Sequence, residues 1–113
     1  MSYDMKKTAE EVKSTIMELQ RELPEYMDGW KSFTAKFQKE GALTKREREL
    51  IAVALSVNKQ CHWCVAYHVE HALKAGASRK EILEASFESV MMGGGSVLVH
   101  MRIVLDALND FKD

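Results

Sequence analysis

Cys61 and Cys64 are the only cysteines in this chain, and they stand three positions apart. A secreted disulfide scaffold spreads its cysteines to close long loops, so a lone adjacent pair points to redox chemistry or to a metal. At the start of a helix, with roughly 100° per residue, Cys61, Cys64 and His68 fall on one stripe about 60° wide. The unpaired N–H groups and the dipole of a helix N-terminus favour an anion, and so a thiolate. Two cysteines at i and i+3 of a first turn also approach closely enough to form a disulfide. Glu49 is the fourth residue of interest. On a helix its neighbours at i+3, i+4 and i+7 are Ala52, Val53 and Ser56, a small and mostly apolar stripe. Burial there would raise its pKa and let it exchange a proton near neutrality.

These side chains meet only if the elements carrying them fold back on one another. Apolar residues at Val12, Ile16 and Leu19 predict a helix over 4–23, ended by Pro24. Tyr26, Trp30, Phe33 and Phe37 repeat at three or four over 25–39, with Gly41 as the stop. That aromatic series reads most simply as core, with part of it available as a subunit contact. Thr44 and Glu47 form a capping box that opens a helix to about 57. Residues 58–60 read as a turn, which sets Glu49 against His68 across the seam. The cysteine helix starts near 61 and ends before Gly76. Ser78 and Glu81 cap a helix to about 92, and Gly93, Gly94 and Gly95 break the chain before a last helix over 96–111. No strand pattern competes. The reading is all-α, a compact bundle of about six helices in one domain, 1–113.

Composition removes several functions. The 16 basic and 17 acidic residues nearly cancel, to a formal −1, so a nucleic-acid partner is not expected. Apolar runs are too short to span a bilayer, and the polar start, 1–11, does not read as a signal peptide. A cytoplasmic location follows. The 46% hydrophobic content is ordinary for a globular protein, but the N-terminal helices are apolar beyond what a 113-residue chain can hide, which argues for a homo-oligomer with contacts from those helices.

Other readings compete for the same residues. The cysteines could be small buried hydrophobes. Cys61, Cys64 and His68, with Glu49 or His71, could supply four metal ligands, although structural zinc sites usually add a second ligand pair from elsewhere. His71 and His100 read as structural. His62 could tune the cysteines or be solvated. Glu49 could be an ordinary surface carboxylate. Gly93, Gly94 and Gly95 lack the lysine and Ser/Thr of a phosphate loop, which leaves a tight helix-to-helix break.

Glu49, eleven residues, Cys61, two residues, Cys64, three residues, His68: this pattern resembles the active-site motif of the alkylhydroperoxidase D-like, carboxymuconolactone decarboxylase family. The resemblance covers about 43–108, including the segment CHWCVAYHVEHALKAGAS and the glycine-rich break. It implies an all-helical fold assembled as trimers or hexamers. It also implies a thiol-dependent peroxidase or disulfide oxidoreductase with an antioxidant role and no cofactor or metal. In that branch the cysteine matching Cys64 attacks a hydroperoxide and the one matching Cys61 closes the disulfide. Glu49 and His68 match the proton relay, and a thiol or disulfide reductant completes the cycle. One position departs from the best-known peroxidases, which carry histidine where this chain has Trp63, while His62 stands one place earlier. Another branch decarboxylates a lactone acid, and a non-catalytic redox or metal sensor is a third reading.

Overall fold

The structure, a computed structural model, describes residues 3–112, so both ends of the expected domain, at Met1, Ser2 and Asp113, lie outside the described residues. Six helices follow one another: α1 Met5–Glu22, α2 Pro24–Phe37, α3 Lys45–Asn58, α4 His62–Lys74, α5 Arg79–Gly93 and α6 Gly95–Asp110. No strand occurs among the described residues. The helix starts are set by local chemistry. Asp4, Thr44 and Ser78 each accept a backbone N–H from the first turn, and Thr44–Glu47 and Ser78–Glu81 form complete capping boxes. Pro24 occupies the first position of α2, where its missing N–H costs nothing.

Helices α3 to α6 form the body. α3 packs against α4 and α5, and α6 closes over both α4 and α5. Val53 and Val57 of α3, Val65 and Val69 of α4, Ile82 of α5 and Val104 of α6 are fully or almost fully buried between them. α1 lies against α4 and α6. Its start is fixed by carboxylates of α6: Asp106 accepts the Tyr3 N–H at 2.9 Å, and Asp110 accepts the Met5 N–H at 2.8 Å.

Three sequence readings change here. α2 packs against α1 alone and has no buried residue. Tyr26 is 73% exposed and Phe33 64%, so the aromatic series is not core. α1 rests on the body while α2 stands off it, which leaves those rings facing a cleft and the surface. α2 also ends at Phe37, before Gly41. In the glycine run only Gly94 breaks the helix. Its φ of 78° with ψ of −154° is a conformation open to glycine alone, whereas Gly93 and Gly95 belong to the flanking helices. Gly93 also has no room for a Cβ, which would collide with the Val97 side chain.

Candidate functional site

The turn between α3 and α4 builds the cysteine motif. Gln60 adopts a left-handed φ of 57°. Its N–H donates to Val57 O at 3.0 Å, and the Cys61 N–H donates to Ser56 O at 3.2 Å. This is the Schellman closure of a helix C-terminus, with glutamine where glycine is usual. Gln60 Nε2 donates to Ser96 Oγ at 2.9 Å, which ties the turn to α6. Cys61 therefore ends the cap of α3 and is itself the N-cap of α4. Its Sγ accepts the backbone N–H of Cys64 at 3.2 Å. The two sulfurs are joined as a disulfide across a Cα–Cα distance of 5.3 Å. Of the pair, Cys61 takes the helix-terminal hydrogen bond.

Glu49 and His68 meet from the facing helices. His68 Nδ1–H donates to Glu49 Oε1 at 2.9 Å, and Lys45 Nζ donates to Oε2 at 3.0 Å. The Glu49 side chain is 7% exposed. Burial pushes its carboxyl up, but the hydrogen bonds from His68 and Lys45, with their charges, more than offset this and hold it below the ordinary value. The raised pKa expected from burial alone is thereby overturned. Glu49 is a carboxylate at neutral pH, and as such it fixes the His68 tautomer and orientation. The ring nitrogen left for proton transfer is His68 Nε2.

Cys64 and His68 open onto a common cavity of ≈ 790 Å³. Its apolar walls come from Val12 and Ile16 of α1, Trp30, Phe33 and Phe37 of α2, and Trp63 and Tyr67 of α4. Cys61 is not among its lining residues. A smaller recess of ≈ 290 Å³ adjoins it through shared walls at Phe37, Gln38, Ala52 and His68, and adds Lys45, Arg48 and Glu49. Trp63 is held at the cavity edge by Nε1–H donating to Glu11 Oε1 at 3.0 Å.

The remaining histidines have other duties. His62 packs between Trp63, with ring centres 4.1 Å apart, and Tyr3, at 5.8 Å. His71 stacks on Tyr67 and donates Nδ1–H to its carbonyl at 2.7 Å, and His100 donates to Ser96 O at 2.6 Å. Among the described residues no group of three or more His, Cys, Asp and Glu side chains is placed to hold a metal ion. The ligand set considered from sequence is not assembled: the Glu49 oxygens are turned to His68 Nδ1 and Lys45, and His71 turns to Tyr67.

Sequence reasoning overlooked Lys45, Arg48 and Tyr67 as site residues, and marked Trp63 only as a departure from the motif. Lys45 was detectable as an i, i+4 partner of Glu49. Tyr67 was detectable three residues after Cys64 on the same helix face.

Known proteins share this architecture. The chain resembles a carboxymuconolactone decarboxylase family protein of Legionella pneumophila over 96% of its own length and 97% of that chain, with 33% identity and a TM-score of 0.88. A second family structure, from Thermotoga maritima and named for a possible part in an antioxidative response, aligns over 85% of this chain and 88% of that one. Its identity is 26% and its TM-score 0.69. An uncharacterised protein of Cupriavidus necator is 32% identical over 96% of this chain and 99% of its own. Another, encoded in the cox locus of Paracoccus denitrificans, is 38% identical over 63% of this chain. That match spans 64% of the Paracoccus protein, less than two thirds of its length. The model of the carboxymuconolactone decarboxylase family matches residues 24–107, a span that holds all of the Glu49, Cys61, Cys64 and His68 set. On that match and these relatives, the chain belongs to the carboxymuconolactone decarboxylase family.

Proposed function

We propose that the protein is a thiol-dependent hydroperoxidase that cycles through the Cys61–Cys64 disulfide. The observation carrying this reading is the placement of Cys64, bonded to Cys61 and sharing a cavity with a histidine oriented by a buried carboxylate. In the reduced state His68 Nε2 takes the Cys64 proton, one helical turn away. The Cys64 thiolate attacks the outer oxygen of a hydroperoxide. The O–O bond breaks, Cys64 becomes a sulfenic acid, and the alkoxide leaves as the alcohol with the proton from His68. Cys61, whose thiolate is stabilised as the α4 N-cap, then attacks the Cys64 sulfur. The disulfide forms, and the hydroxide leaves as water with the proton that Cys61 gave up. A dithiol reductant restores both thiols, and the stabilised Cys61 is the better leaving group in that exchange.

The test is stoichiometric. Reduced protein mixed with an organic hydroperoxide, without added reductant, should consume one equivalent per chain while its two free thiols fall to none. Unchanged thiols in excess hydroperoxide would remove the reading. The family also gives its name to decarboxylation of a lactone acid. Release of carbon dioxide from such an acid by the Cys61→Ser, Cys64→Ser double variant would favour that alternative, since it needs no thiol.

A further inference from the structure

Arg48 sits in the recess beside His68 with a charge that nothing on the described chain matches. Lys45, in the same recess, is paired with Glu49 at 3.0 Å. Among the described residues Arg48 has no carboxylate partner, and its Nε is buried with no hydrogen-bond acceptor. A buried, unsatisfied guanidinium N–H is costly. That Nε is enclosed and out of a ligand's reach, but the two terminal nitrogens have no carboxylate among the described residues either, and a carboxylate's two oxygens match their parallel N–H donors. Arg48 lies one turn before Ala52, about 6 Å along α3, and Ala52 belongs to the walls of both recess and cavity. From there the lining turns apolar, through Phe37, Phe33 and Trp30 toward Cys64.

We infer that the recess, together with the cavity that shares its walls, receives an amphipathic organic anion, with its carboxylate on Arg48 and its apolar body along α2 toward Cys64. This deepens the hydroperoxidase reading, on which its catalytic meaning rests, by naming the substrate class as carboxylate-bearing organic hydroperoxides. Glu49 does not repel such a head group strongly, because Lys45 and His68 occupy its two oxygens. The apolar walls hold a chain or ring by burial alone and set no demand on its sequence of atoms.

The test uses the intact protein in its disulfide form, so that no turnover occurs. Both tryptophans of the chain, Trp30 and Trp63, line the cavity, and their fluorescence reports occupancy. Decanoate, decanol and decylammonium would be titrated separately. The expected result is decanoate binding at least about tenfold tighter than decanol, in line with one charge-assisted pair, and decylammonium weakest. Arg48→Gln should erase the decanoate preference, and Arg48→Lys should keep part of it. Equal binding of the three probes, binding of none, or an unchanged preference in folded Arg48→Gln would overturn the proposal. The comparison among probes on the parent protein needs no variant to fold. A carboxylate preference without hydroperoxide consumption would remove the enzymatic reading and leave the anion site standing. Hydroperoxide consumption without the preference would do the reverse.

Discussion

Glu49 shows how a residue's surroundings reverse an expectation drawn from burial. Its small, apolar helical neighbours made its enclosure legible, and the short turn after α3 made His68 its natural partner. Lys45 was harder to see. A lysine four residues before a glutamate reads as a solvated surface pair, and that order is the weaker one on an isolated helix. Only the packing of α4 over α3 encloses the carboxylate, with the lysine left at its rim. The result is a depressed carboxyl, with a definite consequence for pH. A carboxyl whose folded value lies below its unfolded one contributes stability above the unfolded value, about 4.3 for glutamate. That contribution is lost as pH falls through the folded value. Glu49→Gln should therefore be less stable than the parent at pH 7 and approach it below about pH 4, as measured by urea unfolding across pH. The same variant should slow hydroperoxide attack by about 10²-fold, the usual size of a lost acid–base contribution, because His68 loses its orienting anion. Rapid-mixing kinetics of thiol loss would check this, and an unchanged rate would take Glu49 out of the relay.

Among the elements, helix starts were the most legible features, since capping boxes are written in short, fixed spacings. Thr44–Glu47 and Ser78–Glu81 open α3 and α5 where the pattern places them. The turn before Cys61 was legible as a turn but not in its geometry. Glutamine gives no sign that position 60 adopts a left-handed backbone. That conformation is imposed by the Schellman closure and the bond to Ser96. A β-branched residue tolerates it poorly. Gln60→Val should cost about 1–2 kcal/mol in chemical denaturation, whereas Gln60→Gly should be close to neutral. Equal stability of the two variants would contradict the strain assigned to this turn. The α2 aromatics were misread because helical spacing identifies an apolar face without saying what covers it. In one copy of the chain α1 alone packs on α2, and Trp30 and Phe37 remain 49% and 47% exposed.

For the molecule as a whole, apolar exposure is the dominant surface feature. Besides α2, the exposed side chains include Phe87 and Met91 on α5, and Val99 on α6. Apolar exposure on this scale points to association. We propose that copies of this chain cover this surface, as the apolar N-terminal helices led us to expect. Light scattering at micromolar concentration should give a multiple of the 12.9 kDa chain mass. Tyr26→Lys together with Phe33→Lys should lower that multiple, and a parent mass equal to one chain would refute the assembly. No helix among the described residues is long and apolar enough to cross a membrane.

The division of labour between the two cysteines is the centre of the account. Helix position alone favours Cys61 as the more stabilised thiolate, while access to the cavity and the neighbouring His68 favour Cys64 as the attacker. Trapping sulfenic acid with a dimedone-type probe after hydroperoxide treatment, in the Cys61→Ser and Cys64→Ser proteins in parallel, separates the two. The account expects one probe per chain on Cys64 in the first protein and little or none on Cys61 in the second. A label on Cys61 with none on Cys64 would contradict it.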